Sequence, residues 1–158
     1  MVTIGKVHNV SKKLDFEWRI DNFFSISERV EKHFFSPSFL LAGEFWKLKI
    51  YPNGKKYSGF VSLYLLRNYT YFNGSEDPTI SVEWSFSLET CDKKRAHEIQ
   101  LEYEFDYTDE EYGIPKFLER SLLLEKKSEL VPSGNLTLVC TVKSYSKFPD
   151  EYGKFFVK

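Results

Sequence analysis

Cysteine is scarce in this 158-residue chain, which contains only Cys91 and Cys140. Two cysteines are too few for the multiply bridged framework of a small secreted domain. Long apolar runs are also missing, and none approaches the ~20 residues that a membrane-spanning helix needs. We therefore expect two unbridged thiols, one in a turn and one inside a strand, and no transmembrane helix.

An excess of charge of either sign is absent as well. The chain has 22 basic and 23 acidic residues, for a net charge of -1. Such a balance gives no indication of nucleic acid or of an anionic membrane as a partner. The N-terminal stretch MVTIGKVHNVSKKLDF lacks the apolar segment of a secretory signal. The sequence thus favours an intracellular protein, nuclear or cytoplasmic.

Recognisable catalytic motifs are also missing from the sequence. The sequence has no HExxH, CxxC or GxSxG pattern, and its three histidines are scattered: His8, His33 and His97. A group of acidic residues lacks the spacing and the glycine of an EF-hand. Its members are Asp106, Asp109, Glu110 and Glu111. We expect a solvated acidic loop there, with no catalytic residue, no bound metal and no cofactor.

Aromatic residues, in contrast, are abundant at 18%, with 15 Phe and 10 Tyr, and they favour strands. The stretch WKLKIYPNG (46–54) alternates apolar and polar residues, which is typical of a strand with one buried face. Pro-Asn-Gly then ends it with turn chemistry. FEWRIDNF (16–23) alternates in the same way. The shared strand phases predict six buried side chains: Trp18, Trp46, Leu48, Ile50, Phe86 and Leu138.

Similar patterns predict about eight short strands along the chain. They fall at 16–21, 31–36, 45–51, 60–66, 80–88, 97–105, 122–124 and 136–142. Helical turns are predicted at 23–29 and 115–120, and an acidic loop at 106–113. Short strands with turns between them and no helix of ordinary length indicate an all-β antiparallel sandwich. We expect one domain over 15–143, a flexible lead-in at 1–14, and a tail or linker at 144–158.

Five blocks of the sequence, in order, resemble the MATH (meprin and TRAF homology) domain. They are FEWRIDNF, WKLKIYPNG, VSLYLL, EEYGIPKFL and LVPSGNLTLVC. Within that family the chain is most similar to the speckle-type POZ protein group. The resemblance implies an eight-stranded antiparallel β-sandwich without catalytic activity that binds short extended peptide segments of substrate proteins. In that group a BTB domain recruits a cullin-RING ubiquitin ligase, and no BTB sequence occurs within this chain.

The resemblance also implies a peptide groove, carried over position by position. Its residues would be Tyr64, Trp84, Tyr103, Glu111, Tyr112, Gly113 and Ile114. Rigid aromatic side chains are suited to such a site because they bury much area at low entropic cost. Tyr64 is out of phase with its apolar neighbours and should leave the core. Trp84 and Tyr103 share the phase of buried residues, so a position in the core is an equal alternative for both.

The matched groove departs from the family pattern in its charges. The speckle-type group has lysines beside the glycine, where this chain has the acidic stretch ending at Glu111 on one side and Pro115 on the other. We therefore expect a preference for neutral or basic peptides with one apolar anchor. Two other interpretations stay open: a TRAF-like or deubiquitinase-like MATH domain that binds receptor or partner tails, and a self-assembly module. The chain has no heptads for a TRAF-type coiled coil.

Overall fold

The structure, a computed structural model, describes residues 11–29, 32–68, 79–106 and 110–145. In chain order its elements are β1 (Ser11–Ile20), α1 (Phe23–Arg29), β2 (Phe34–Phe35), β3 (Phe39–Leu41), β4 (Glu44–Tyr51), β5 (Phe60–Arg67), β6 (Ile80–Glu89), β7 (Arg95–Phe105), β8 (Glu111–Glu119), α2 (Arg120–Glu125), α3 (Lys127–Leu130) and β9 (Leu136–Tyr145). Residues 1–10 of the expected lead-in and 146–158 of the expected tail lie outside the described residues.

The strands form two antiparallel sheets. One sheet has the order β1-β9-β6-β7, and the other has the order β2-β4-β5-β8, with β3 also paired to β4. β2 and β3 lie along the same edge of β4, opposite 49–50 and 44–46, and are separated by the segment around Pro37. Counted as one interrupted strand, they give eight strands within the described residues. The predicted all-β antiparallel sandwich is confirmed.

The core lies between the inner faces of the two sheets. All six side chains predicted to be buried are buried, and Trp46 has no exposed surface. Aromatic rings join the sheets at several points, with Trp46 meeting Phe105 edge-on at 5.3 Å and Phe86 meeting Phe117 at 5.9 Å. The indole N–H of Trp46 donates to the Leu41 carbonyl at 3.1 Å, so this large side chain is buried without an unsatisfied donor.

A buried ion pair ties the two sheets together near one end. Arg67 of β5 is fully buried, and its guanidinium donates to both carboxylate oxygens of Glu44 in β4, at 2.6 and 2.7 Å. A third nitrogen donates to the carbonyl of Phe105, at the end of β7 in the other sheet, at 3.3 Å. Bidentate pairing of this kind fixes geometry as well as satisfying charge. It therefore holds the end of β7 against the opposite sheet.

The prediction of a strand at Leu122–Leu124 is wrong, because these residues lie in α2. Leu123 is fully buried, whereas Leu124 is 53% exposed. Three adjacent leucines carry no periodicity that could separate strand from helix. Leucine is among the stronger helix formers, and in the structure these three residues adopt the helical conformation that this preference favours.

The prediction of a helical turn at 115–120 is also wrong, because 111–119 form strand β8. Pro115 lies where the ladder between β5 and β8 is irregular, with the register shifting between Val61 and Leu63. Proline lacks the N–H of a regular ladder, and bulges on edge strands are where it is tolerated. The acidic loop is consequently shorter than predicted, and its residues 107–109 lie outside the described part of the chain.

Truncation of Trp46 tests the packing between the sheets. We expect Trp46→Ala to lower the free energy of unfolding by about 3–5 kcal/mol, because it leaves a cavity among fully buried side chains. Leu40→Ala is the matched control, since Leu40 lies on the neighbouring β3 but is 58% exposed. Urea denaturation of both variants measures the difference. Equal small losses for the two would contradict the described core.

The two cysteines are unbridged as predicted, with Cys91 exposed and Cys140 buried. Burial raises the pKa of the Cys140 thiol far above its usual range. We expect one thiol per chain to react rapidly with a water-soluble disulfide reagent in the native protein and two after unfolding. Cys91→Ser should abolish the rapid reaction and leave the slow one. Rapid modification of that variant would refute the burial of Cys140.

Candidate functional site

β7 and β8 are the edge strands that border each other across the two sheets. Among the described residues each has a strand partner on one side only, β6 for β7 and β5 for β8. Side chains bridge the gap between them. His97 of β7 donates from Nε2 to the carbonyl of Phe117, and the rings of Tyr103 and Tyr112 are stacked, 4.0 Å apart and 9° from parallel. Two open strand edges thus meet at a seam held by side chains.

An aromatic cluster lines this seam. Tyr112 of β8 is 39% exposed, and its ring lies face to face with Tyr103 and edge-on to Trp84 at 6.1 Å. Ile114, two residues further along β8, lies on the same face and packs partly against the core. The structure therefore brings four of the seven predicted site residues together. We call Trp84, Tyr103, Tyr112 and Ile114 the aromatic cleft.

Tyr103 is fixed by a hydrogen bond as well as by stacking. Its hydroxyl donates to Oε2 of Glu110 at 2.8 Å, and this bond raises the pKa of Tyr103. The other oxygen of Glu110 accepts the backbone N–H of Asp106 at 3.0 Å. The backbone carbonyl of Glu110 accepts the N–H of Arg67, also at 3.0 Å. Glu110 is therefore occupied in holding the ends of β5, β7 and β8 around the cleft.

Trp84 is the floor of the cleft rather than part of its exposed wall. It is 3% exposed, as its phase along β6 predicts, and it contacts Phe105 and Phe86 in the core. Within the described residues its buried Nε1–H has no hydrogen-bond acceptor. Buried donors are rarely left in that condition.

Gly113 serves the pairing of β8 with β5. A Cβ at this position would meet the carbonyl oxygen of Leu63 and lie 2.6 Å from Cα of Tyr64. Real Cβ atoms do not approach backbone so closely, so any side chain here would push the two strands apart. The close approach that glycine permits is used by the neighbouring strand within the sheet.

Tyr64 lies on the opposite face of the five-stranded sheet from the aromatic cleft. Leu63 and Leu65 on either side of it are fully buried in the core, so Tyr64 points outward, as predicted. It is nevertheless only 7% exposed. The ring of Tyr51 meets it edge-on at 5.7 Å, and the ammonium group of Lys55 lies 5.1 Å above it.

Glu111 lies on that same outer face and is paired with two lysines. Its Oε1 lies 2.9 Å from Nζ of Lys49, and its Oε2 lies 3.0 Å from Nζ of Lys55. Burial alone would raise the pKa of Glu111, but the hydrogen bonds and charges of the lysines outweigh it and hold the pKa below its usual range. The expected preference for neutral or basic peptides counted Glu111 as added negative charge beside the glycine. In the structure two ammonium groups accompany this carboxylate and compensate its charge.

Sequence reasoning missed these lysines as site residues. The alternation of β4 indicates that Lys47, Lys49 and Tyr51 face solvent together. What it could not indicate is that pairing of β4 with β5, and of β5 with β8, brings Lys49, Tyr64 and Gly113 into one row. We call this outer surface the lysine face. It comprises Phe35, Lys47, Lys49, Tyr51, Lys55, Tyr64 and Glu111.

Other kinds of site find little support in the described residues. None of their helices is long and apolar enough to cross a membrane. In the same residues, no group of three or more His, Cys, Asp or Glu side chains is arranged to hold a metal ion. The thiol of Cys140 is fully buried with a raised pKa, which is the reverse of what a nucleophilic cysteine needs.

A β-sandwich with two open strand edges beside an aromatic cleft has the form of a protein-interaction module. The family model of the MATH domain matches residues 15–142, and the chain belongs to this family. MATH domains bind partner proteins, which agrees with the geometry of the cleft.

Comparison with individual proteins gives more distant likenesses. The chain is 26% identical over 144 residues to TD and POZ domain-containing protein 1 of Mus musculus, and 26% identical over 143 residues to TD and POZ domain-containing protein 1-like of the same organism. In each case the match covers 87% of this chain and 38% of the relative. The chain therefore spans little more than a third of the curated relatives it matches. Among solved structures, Notothenia coriiceps TRAF5 is similar with a TM-score of 0.63 and 16% identity, covering 81% of this chain and 72% of that one. The likeness to TRAF5 shows a shared fold.

The ion pairs of Glu111 predict a pH dependence of stability. Because its folded pKa lies below the ordinary value, this carboxylate contributes stability above its unfolded pKa and loses the contribution as pH falls through the folded pKa. We expect Glu111→Gln to be less stable than the wild type at neutral pH, with the difference shrinking as the pH falls below the ordinary pKa of a glutamate carboxyl. Urea denaturation across this range measures it. Glu125→Gln on α2 is the control, and a difference for Glu111→Gln that stays constant to low pH would contradict the pairing.

Proposed function

We propose that this MATH domain is a non-enzymatic reader of short extended peptide segments, which it binds in the aromatic cleft. One observation carries the proposal: Tyr112 is 39% exposed yet stacked on Tyr103, so a rigid aromatic surface is held open to solvent. Tyrosine and tryptophan dominate binding hot spots because they bury much area while losing few rotamers. An apolar anchor of the peptide would bury against these rings.

The strand edges supply the second part of the proposed recognition. An extended segment can add to an open sheet edge through main-chain hydrogen bonds, with its alternate side chains entering pockets. β7 and β8 both offer such an edge within the described residues. Tyr64, Glu111 and Gly113 would then lie near the bound segment on the outer face of the sheet, which is the face turned away from the aromatic cleft.

We further propose that the domain receives substrates for a cullin-RING ubiquitin-ligase adaptor acting in the nucleus or cytoplasm. The support is the family itself and the names of the two mouse relatives, which record a POZ domain (the BTB domain by its other name). In this role the aromatic cleft would hold the substrate, and a POZ domain outside this chain would contact the cullin. The peptide-binding role does not depend on the adaptor role.

Peptide display with a random linear library tests the proposed site. We expect immobilised protein to enrich particular sequences from such a library, and Tyr112→Ala to bind the enriched peptides at least about tenfold more weakly. Tyr57→Ala is the matched control, because Tyr57 is 44% exposed but lies in the turn between β4 and β5. Fluorescence anisotropy measures the dissociation constants.

Two results would contradict the proposal. The first is that the wild-type protein enriches no sequence beyond those that the Tyr112→Ala protein enriches from the same library. The second is that Tyr112→Ala and Tyr57→Ala bind the enriched peptides equally well. The adaptor role is tested separately with the longest natural protein that contains this chain. It should bind a cullin, and Tyr112→Ala should leave that binding unchanged. Absence of cullin binding would reject the adaptor role alone.

A further inference from the structure

The lysine face carries more positive than negative charge. Lys47, Lys49 and Lys55 supply three ammonium groups, and Glu111 supplies one carboxylate, which both Lys49 and Lys55 contact. Within the part of the chain that the structure describes, Lys47 has no carboxylate at ion-pair distance. His33, beside this surface, adds little charge, because burial lowers its pKa and so does the charge of Lys49. The surface as a whole is therefore cationic.

The chain itself shows which chemistry these lysines bind. Glu111 places one carboxylate oxygen against each ammonium group, at 2.9 and 3.0 Å, so that the carboxylate bridges Lys49 and Lys55. An ammonium group has three N–H donors, and Glu111 takes one from each lysine. The same two groups can therefore bind a second carboxylate, or exchange Glu111 for one.

Aromatic rings hold the ammonium groups in position. Lys47 lies 4.1 Å from the ring centroid of Phe35, which is 40% exposed, and Lys55 lies 5.1 Å from that of Tyr64. Lys49 lies 5.2 Å from that of Tyr51. Cation–π contacts at such distances reduce the freedom of lysine side chains. Less rotamer entropy is then lost when an anion binds.

The lysine face and the aromatic cleft are the two sides of one strand. Glu111 and Gly113 of β8 lie in line with the outer face, and Tyr112 and Ile114 face the cleft. A peptide paired to the open edge of β8 would extend the sheet. Its alternate side chains would then point to the cleft and to the lysine face in turn.

We infer that the peptide site extends onto the lysine face and selects segments in which acidic side chains alternate with apolar anchors. The apolar residues would enter the aromatic cleft, and the carboxylates would bind Lys49 and Lys55. This inference rests on the proposed peptide-binding function and names its ligand class. It is the opposite of the preference for neutral or basic peptides that the acidic stretch before Gly113 led us to expect.

The other open edge would select the opposite charge. The outward side chains of β7 include Glu98, Gln100 and Glu102, all exposed. A peptide paired to β7 would place its alternate side chains beside the carboxylates of Glu98 and Glu102 and would be enriched in Lys and Arg. The sign of the selected charge therefore reports which edge binds the peptide.

Peptide display on three proteins tests the inference: the wild type, Lys49→Gln/Lys55→Gln, and Lys126→Gln/Lys127→Gln as the control. The control changes the net charge of the chain equally, but at the exposed junction of α2 and α3. We expect the wild type and the control to enrich Asp and Glu at positions adjacent to an apolar residue. The Lys49/Lys55 variant should keep the apolar preference, lose the acidic one and bind the wild-type peptides about five- to tenfold more weakly.

Glu111→Gln supplies a test by gain of binding. Removing the internal carboxylate leaves Lys49 and Lys55 without their partner, so we expect acidic peptides to bind about two- to fivefold more tightly and matched Gln-for-Glu peptides to bind unchanged. A purely structural role of Glu111 would weaken both peptides or neither. Circular dichroism and thermal unfolding confirm that each variant is folded.

The outcomes separate the inference from the proposed function. Enrichment of neutral or basic peptides, or acidic enrichment that survives in the Lys49/Lys55 variant, overturns the inference and leaves peptide binding intact. Failure of the wild type to enrich any sequence overturns the proposed function and the inference together. Acidic enrichment lost only in the Lys49/Lys55 variant, with tighter binding by Glu111→Gln, supports both.

Discussion

The pairing of β8 with β5 sets the geometry of the candidate site. It places Tyr112 opposite Leu65 and Gly113 opposite Tyr64, so alternate residues of β8 face the cleft and the lysine face. A slip by one residue would exchange the two sets of side chains. Gly113 allows this register because backbone atoms of β5 occupy the place of a Cβ. One glycine thus determines which side chains can meet a ligand on either side of the strand.

The position of β7 beside β8 depends on a second, buried interaction. Arg67 joins Glu44 on the same sheet to the carbonyl of Phe105 on the other, and its own N–H binds the carbonyl of Glu110. Tyr103, whose ring is stacked on Tyr112, comes two residues before Phe105 in β7. Its hydroxyl donates a hydrogen bond to the carboxylate of Glu110. Because a buried charge pair tolerates little displacement of either partner, the seam between the two edge strands has a defined width.

The charges beside the two edge strands differ in sign, and that difference would give the site its selectivity. Lysines from β4 and from the turn after it reach Glu111 of β8, whereas glutamates project from the outward face of β7. Charged side chains on open edges also discourage pairing with further copies of the chain. Exposed charges contribute more to the choice of partner than to the strength of binding. The aromatic cleft would then provide most of the affinity and the lysine face most of the discrimination.

Local patterns in the sequence were enough to predict the fold class and most of the core. Alternation placed Trp46, Leu48 and Ile50 on the buried face of β4, because a strand with one wet face repeats every two residues. The resemblance to the MATH family assigned the four residues of the aromatic cleft to one predicted site. Local patterns failed at Leu122–Leu124 and at Pro115, where a short apolar run and a proline carry no periodicity and where packing decides between strand and helix.

The environment of each predicted site residue, in contrast, follows from tertiary structure. Tyr64 and Tyr112 belong to one predicted site yet lie on opposite faces of the same sheet. In the sequence Glu111 belongs to an acidic stretch. In the structure its carboxylate forms ion pairs with Lys49 and Lys55, which are far from it along the chain. Such neighbours arise from strand register across a sheet. Register depends on long-range pairing, which a single sequence does not display.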